Sequence, residues 1–323
     1  MTWNRRDLLL ASGALALAPA LRAQSFPSRP LKMIYTYAPG GVGDALARMT
    51  AASMGNYLGQ QVVVENRTGA SGSIGVQAGW RAAPDGYTMV MTTITTVVQY
   101  PLVTKDNSFD PATSLVPLAN LAMNPLCLLV HPSLPVTDFP SFVAWAQQQS
   151  GGVDVAVSGP TLEVATALLA HGAKLKFNTI RYRGGAPALQ AVLGGEVKVW
   201  FESINGAMLA NAREGKLRLI AVTSQEAFSL LPDVPPIARF LPGYVQDINF
   251  ALWAPPGTPA EIVASLKDAI AKAAAEPDMK DKIAKNGVVQ AAEGGEYVTR
   301  VTRREAAAIK RAMELVPSIS YGG

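Results

Sequence analysis

The sequence contains few of the side chains on which most enzyme chemistry depends. Its 323 residues include a single cysteine, Cys127, and only two histidines, His131 and His171. One cysteine cannot form an internal disulfide bond, and we interpret Cys127, which lies in an apolar run, as a core residue. The histidines belong to no His-Glu-x-x-His motif, and no Gly-x-Ser-x-Gly nucleophile motif is present. Each histidine is therefore expected to be structural, and hydrolases and metalloenzymes are disfavoured.

Charge is also sparse, at 16% of residues with a formal net charge of +4. The lysines and arginines are dispersed along the chain and form no basic tract. This distribution argues against nucleic acid or a membrane surface as the main partner.

The apolar run at residues 8–18 is too short to span a bilayer, and it follows Arg5 and Arg6. We interpret residues 1–23 as an export signal that is cleaved after Ala23, or alternatively after Ala20. The segment around the two arginines also resembles a twin-arginine signal, so the export route stays open. The mature protein is therefore predicted to be periplasmic.

The stretch from residue 31 to residue 49 has the pattern of a strand, a tight turn and a helix that starts near Asp44. Pro39, Gly40 and Gly41 lie in the turn. Backbone N–H groups would converge there on a helix start, which carries unpaired donors and partial positive charge. This arrangement predicts an anion-binding turn. The alternative is an ordinary turn in which Asp44 only caps or flanks the helix.

Two nucleotide-binding interpretations compete for the same glycines. A phosphate-binding P-loop would need a Gly-Lys-Ser/Thr ending, which the turn lacks. A dinucleotide site fits better, because Gly41 and Gly43 match the first two glycines and Glu65 ends the next strand, where a ribose ligand would lie. However, Leu46 occupies the position of the third glycine and would obstruct close helix–strand packing. We therefore predict no nucleotide cofactor, and no other cofactor.

Strands alternate with helices in two successive runs, which predicts parallel sheets in two lobes. Apolar runs on either side of Asn124 and Pro125 indicate the passage into the second lobe. There the strand at residues 153–157 is followed by a turn and a helix, as in the first lobe. In open α/β sheets, ligands lie at the carboxyl ends of the strands. The hydroxyl-rich strand end at residues 92–96 either faces a ligand or consists of ordinary β-branched strand residues.

Short motifs form a recognisable series from about residue 26 to the end of the chain. In chain order they are Arg29-Pro30, Ala38-Pro39-Gly40-Gly41-x-x-Asp44, Leu58-Gly59-Gln60-x-Val62-Val63-Val64-Glu65-Asn66-Arg67, Ala83-Pro84-Asp85-Gly86-Tyr87-Thr88, Tyr182-Arg183-Gly184-Gly185-Ala186-Pro187-Ala188, Leu193-Gly194-Gly195-x-Val197, Gly215-Lys216-Leu217-Arg218, Leu231-Pro232-Asp233-Val234-Pro235, Pro242-Gly243-Tyr244 and Ala254-Pro255-x-Gly257-Thr258-Pro259. This series resembles the Bug-type solute-binding receptors of tripartite tricarboxylate transporters.

The resemblance implies a two-lobed periplasmic-binding-protein (Venus flytrap) fold, in which each lobe is a mostly parallel sheet flanked by helices. Domain 1 would comprise residues 24–125 plus 249–323, and domain 2 residues 126–248. The protein would be a monomeric receptor without catalytic activity. It would capture a small organic anion, a carboxylate, between its lobes and deliver it to the membrane components of a transporter.

The resemblance also implies a ligand site with two walls. Pro39, Gly40, Gly41 and Asp44 would form the first wall, in which backbone donors face the carboxylate of the ligand. The second wall would consist of the turn and loop residues Ser158, Gly159, Thr161, Arg183, Gly184 and Gly185. Thr92 and Glu202 complete the expected site.

Several positions depart from the family's usual pattern. Glu202 stands in Phe-Glu-Ser where Phe-Asp-Asn is common, Glu163 where a histidine is common, and Lys198 where an acid is common. Asp44 and Glu202 would repel a carboxylate unless water screens them or unless they meet an amine or a hydroxyl. A periplasmic sensor that feeds a signalling partner is the alternative function, and a dehydrogenase is a third.

Overall fold

The computed structural model describes residues 26–285 and 287–316. The predicted export signal, residues 1–23, and both of its cleavage positions lie outside the described residues, as do residues 317–323. The strands are β1 (Leu31–Tyr35), β2 (Val62–Asn66), β3 (Thr88–Thr93), β4 (Val116–Val130), β5 (Val153–Val157), β6 (Phe177–Arg181), β7 (Val199–Ser203), β8 (Arg218–Val222), β9 (Asp247–Ala254) and β10 (Val289–Gly294). The helices are α1 (Val42–Leu58), α2 (Ser73–Trp80), α3 (Ile94–Thr104), α4 (Phe139–Gln147), α5 (Pro160–Ala173), α6 (Gly185–Leu193), α7 (Gly206–Arg213), α8 (Ala260–Ala274), α9 (Met279–Ala284) and α10 (Gly295–Leu315).

The strands form two sheets that share the long strand β4. The first sheet has the order β2-β1-β3-β9-β4-β10 and the second the order β6-β5-β7-β4-β8. The expected parallel pairing joins β1 to β2 and β3, and β5 to β6 and β7. The pairs made by β4 and the pair of β3 with β9 are antiparallel. Each sheet is therefore parallel on one side and antiparallel where it adjoins β4.

The chain passes between the two sheets twice. In the first passage, β4 pairs with β9 as far as Pro125 and with β7 from Leu126 onward. The second passage is at Gln246 and the start of β9. Thr223 ties the two passages together, because its Oγ1 accepts from the Leu126 N–H at 2.8 Å and donates to the Gln246 carbonyl at 2.5 Å. The two crossings therefore lie side by side and are joined through Thr223.

Helix α1 shows why the dinucleotide interpretation fails structurally. Its buried face includes Leu46, which is 1% exposed and packs in the core of the first lobe beside residues of β1. Glycine is required at position 43 because a Cβ there would clash with the Tyr35 hydroxyl oxygen, at 2.1 Å. The helix ends at Gly59, whose left-handed φ of 66° suits glycine. Local packing thus explains this glycine pattern without a pyrophosphate.

Helix α10 contacts both lobes. Its apolar face packs with Tyr100 of α3 and Trp253 of β9 in the first lobe, and with Val164 of α5 in the second. The prediction for the C-terminal segment placed it with the first lobe alone. The division into domains stays a proposal, and α10 adds a contact with α5 that the sequence did not indicate.

Candidate functional site

The glycine turn after β1 is held from within by Asp44. The buried Asp44 carboxylate accepts from the Gly40 N–H at 3.1 Å, from Arg48 Nε at 3.0 Å and from Asn66 Nδ2 at 2.9 Å. Desolvation raises the pKa of Asp44, but the hydrogen bonds from Arg48, Asn66 and Gly40 outweigh it and lower the pKa to about 2. The charge of Asp44 is thus balanced by Arg48, and the Gly40 N–H is used inside the turn rather than presented to a ligand.

Gly41 begins helix α1 without a capping side chain. Its backbone is extended, with φ −85° and ψ 173°, and a Cβ built on it would meet no atom within 4 Å. The N–H groups in the first turn of a helix have no partner within the helix. The start of α1 therefore presents backbone donors to open space.

Hydroxyl groups continue this wall beyond the glycine turn. The Tyr37 and Thr96 hydroxyls share a hydrogen bond of 2.6 Å, and Thr96 shares one of 2.8 Å with Thr93. Desolvation raises the pKa of Tyr37 above its usual 10, so its hydroxyl is protonated at neutral pH.

The structure places Thr92 away from this wall. Thr92 is 0% exposed, and its hydroxyl shares a hydrogen bond of 2.6 Å with Thr36. Successive strand residues point to opposite faces, so the neighbouring Thr93 takes the position that the sequence analysis gave to Thr92. Residue alternation along β3 was the signal that could have identified Thr93.

Two further helices in the second lobe start at uncapped glycines. Helix α5 follows Gly159 and helix α6 follows Gly184, and neither glycine supplies a capping side chain. A Cβ on either glycine would meet no atom within 4 Å. Gly184 has a φ of 113°, which side-chain-bearing residues rarely adopt.

Glu202, at the end of β7, lies between these two helix starts. Its carboxylate is 5% exposed and accepts hydrogen bonds from the Ser158 hydroxyl, from the Ser203 N–H at 2.9 Å and from the Ser203 hydroxyl at 3.0 Å. A Cβ on Gly185 would lie 3.2 Å from Glu202 Oε2. The fold thus brings Ser158, Gly185 and Glu202 together, and the partners of Glu202 among the described residues are hydroxyl and N–H groups.

The other predicted residues of the site are more peripheral. Thr161 Oγ1 accepts from Gln99 Nε2 at 3.4 Å, which joins α5 of the second lobe to α3 of the first. Arg183 is exposed in the loop between β6 and α6, and Pro39 is exposed in the glycine turn. Glu163, in the first turn of α5, forms an ion pair of 2.7 Å with Arg181.

A small cavity of about 20 Å³ lies behind the Gln99–Thr161 contact, where both lobes meet α10. This volume accommodates about one water molecule. Thr95 donates to Glu305 Oε2 at 2.7 Å, whereas Glu305 Oε1 is buried and has no hydrogen-bond partner among the described residues. Burial raises the pKa of Glu305 and of Asp247 to about 7, although Arg304 partly opposes the shift in both. The cavity is lined by Thr95, Gln99, Leu126, Thr161, Val164, Val245, Gln246, Asp247, Ile248, Arg304, Glu305, Ala308 and Ile309.

The side chains singled out for enzyme chemistry have ordinary structural partners. His131 bonds to Ser133, and His171 accepts from Arg311 at 3.2 Å. Cys127 is buried in β4, and burial raises the pKa of its thiol. In the described ranges, no three His, Cys, Asp or Glu side chains cluster as metal ligands would. Those ranges also contain no helix with the length and apolar character of a membrane span.

Comparison with known proteins connects this geometry to a family. Residues 46–316 match the model of the tripartite tricarboxylate transporter family receptor. The protein BugT of Bordetella pertussis is 32% identical over 254 residues, which cover 77% of this chain and 78% of BugT.

Solved structures share the whole architecture. A solute-binding protein of the same family from Polaromonas superposes with a TM-score of 0.79 at 29% identity, covering 90% of this chain and 99% of the other. Two Rhodopseudomonas palustris proteins, solved with malate and with adipate, give TM-scores of 0.69 and 0.72 at 28% and 29% identity. They cover 89% and 90% of this chain, and 99% and 98% of their own. These matches confirm the predicted two-lobed α/β fold.

Proposed function

Because the chain belongs to the receptor family of the tripartite tricarboxylate transporters, we propose that it captures a small carboxylate between its two lobes and delivers it to the membrane components of such a transporter. Family membership confirms the predicted Bug-type receptor and its assignment to binding proteins rather than enzymes. Receptors of this family are periplasmic. For this chain we propose that the ligand is a carboxylate, that the receptor delivers it to the transporter, and that residues 1–23 direct export.

One observation carries the assignment to carboxylates. Helices α1 and α5 start at Gly41 and Gly159, each without a capping side chain and each beside open space, whereas the start of α6 lies beside the carboxylate of Glu202. Uncapped helix starts combine free N–H donors with partial positive charge, and this combination suits a carboxylate. Both starts follow strands of the parallel part of a sheet, β1 and β5, and ligands bind at such strand ends in open α/β folds.

The ligands of the structural neighbours support the same chemistry. Malate and adipate, which were solved with the two Rhodopseudomonas palustris proteins, are both small dicarboxylates. In this chain the hydrogen-bonded hydroxyls of Tyr37, Thr96 and Thr93 add polar groups to the first lobe. The carboxylate of Asp44 does not oppose an anion there, because Arg48 pairs with it.

We also propose the boundaries of the two domains. Domain 1 comprises residues 24–125 plus 249–323, and domain 2 comprises residues 126–248. The sheet exchange at Pro125 and Leu126 and the start of β9 at Asp247 support these boundaries. The receptor acts as a monomer, needs no cofactor and binds no nucleic acid.

A thermal-shift panel of small carboxylic acids and their uncharged amides tests the assignment. A ligand at about 100 times its dissociation constant stabilises the native protein by roughly 2.7 kcal/mol. For domains of this size that corresponds to a rise in melting temperature of about 5–10 °C. We expect at least one carboxylate to produce the rise and its amide not to. If amides or sugars stabilise the protein and no carboxylate does, the ligand class is wrong.

A further inference from the structure

The hydrogen bond between Ser158 and Glu202 determines whether this part of the second wall donates or accepts hydrogen bonds. The hydroxyl of Ser158 has a single hydrogen, and this hydrogen is donated to Glu202 Oε2. To any further partner, Ser158 therefore offers only the lone pairs of its oxygen. A ligand atom that meets Ser158 must donate a hydrogen bond rather than accept one.

Glu202 itself adds acceptor capacity and charge at the same place. Its Oε1 already accepts two hydrogen bonds from Ser203, whereas its Oε2 accepts one, from Ser158. A carboxylate oxygen has two lone pairs, so Oε2 can accept one more hydrogen bond. Oε2 is also the atom nearest to the position of a Cβ on Gly185, at 3.2 Å, so it lies beside the start of α6 with no side chain between.

The two walls differ in whether a cationic side chain pairs with their acidic residue. Asp44 in the first wall forms an ion pair with Arg48, whereas Glu202 has only hydroxyl and N–H partners in the described part of the chain. A buried carboxylate without a counter-ion favours a cation or a strong donor beside it and disfavours a second anion. The start of α1 is thus suited to an anion, and the surroundings of Glu202 are suited to a donor.

We propose that the receptor selects carboxylates that also carry a hydrogen-bond donor, an ammonium or a hydroxyl group, and discriminates against the corresponding unsubstituted acids. The ligand carboxylate lies at the start of α1, and its donor meets Ser158 and Glu202. This inference rests on the proposed function of the same cleft.

Matched sets of acids test the inference by isothermal titration of the wild-type protein. The sets are aspartate, malate and succinate; glutamate, 2-hydroxyglutarate and glutarate; and alanine, lactate and propionate. In every set that binds, we expect the amino or hydroxy acid to bind at least about tenfold more tightly than the unsubstituted acid, since hydrogen bonds to charged groups are among the stronger ones. The amino and hydroxy members together identify which donor the site takes.

The variant Glu202→Gln tests the mechanism. A glutamine can accept from Ser203 through its oxygen and donate to Ser158 through its nitrogen, which releases the Ser158 hydrogen toward the cleft. We expect the preference for the substituted acid to fall to within about threefold or to reverse. Ser158→Ala removes the acceptor while keeping Glu202, and it gives an independent test if Glu202→Gln does not fold. Glu163→Gln, a change at the other buried acid of this region, should leave the preference unchanged because Glu163 pairs with Arg181.

The outcomes separate this inference from the function on which it rests. If unsubstituted acids bind as tightly as their substituted partners, the donor inference is overturned and the carboxylate receptor stands. If the substituted acids bind more tightly but Glu202→Gln and Ser158→Ala both leave this preference unchanged, these residues do not recognise the donor. The inference is then likewise overturned. If no acid in any set binds, the carboxylate assignment fails together with the inference.

Discussion

The carboxylate of Asp44 lies 3.1 Å from the backbone nitrogen of Gly40, four residues earlier in the chain. This bond fixes the glycine turn before any ligand arrives, so ordering the turn costs little at the moment of binding. The residue that the sequence analysis suspected of repelling a carboxylate instead shapes the turn. Its charge is neutralised by Arg48 on the next turn of α1.

Replacing Asp44 by asparagine should lower stability in a pH-dependent way. The pKa of Asp44 is about 2 in the folded protein against a usual 3.8, so its stabilisation is present above pH 3.8 and is lost as the pH falls toward 2. Asp44→Asn should cost about 2 kcal/mol at pH 7 and flatten the acid limb of the melting-temperature profile.

Asp85→Asn is the matched control, because Asp85 pairs with Arg29 on the surface. Such exposed pairs contribute about 0–1 kcal/mol. Equal losses in melting temperature for the two variants at pH 7 would show that Asp44 has no special role.

Alanine substitutions at the two adjacent glycines should separate stability from binding. Gly40 has a φ of 92°, so Gly40→Ala strains the backbone and lowers the melting temperature of the free protein. Gly41 is extended and its Cβ would enter open space, so Gly41→Ala should leave the melting temperature within about 2 °C. It should nevertheless weaken ligand binding, since the new methyl group would stand in front of the N–H donors of α1. Unchanged affinity in Gly41→Ala would remove the start of α1 from the site.

Glu305 should make the protein less stable as the pH rises from 4.5 to about 7. Its pKa is raised from a usual 4.5 to about 7, so between these values the folded state binds more protons than the unfolded state. Stability from this group is therefore greatest below pH 4.5 and is lost as the pH rises toward 7. Asp247, with a pKa also raised to about 7, acts in the same direction.

Glu305→Gln removes that proton linkage. We expect its melting temperature to exceed that of the wild type at pH 8, where the wild-type carboxylate is charged in the cavity, and not to exceed it at pH 5. Differential scanning calorimetry at the two pH values measures the effect. A variant that is less stable than the wild type at pH 8 would mean that the charged carboxylate is better solvated than its burial implies.

The strands and turns of the parallel sheet regions were predictable from the sequence because each is formed by residues that are close together in the chain. The strand at residues 153–157 and the glycine turns that follow β1 and β5 agree with their patterns. The interruption at Asn124 and Pro125 was interpreted as a break between apolar runs, yet β4 continues through it. The continuity is set by partners distant in sequence, including the Ile204 carbonyl, which accepts from Asn124 Nδ2 at 3.0 Å.

The parts of the site that could not be predicted from the sequence depend on which way a side chain points rather than on its residue type. Thr92 and Thr93 are chemically equivalent, and only the register of β3 against its neighbours buries the first. The lack of an ion pair at Glu202 among the described residues likewise follows from packing, whereas Asp44 and Arg48 form a local pair four residues apart on α1. The cavity acids Asp247 and Glu305 were not identified because nothing local brings β9 and α10 together.

A crystal structure of the mature protein with the carboxylate that raises its melting temperature most tests the central claim directly. The account predicts one ligand between the lobes, with a carboxylate oxygen at about 2.7–3.2 Å from backbone nitrogens in the first turn of α1 or α5. A carboxylate bound outside the cleft, or one held in the cleft only by side chains with those helix starts left free, would contradict it.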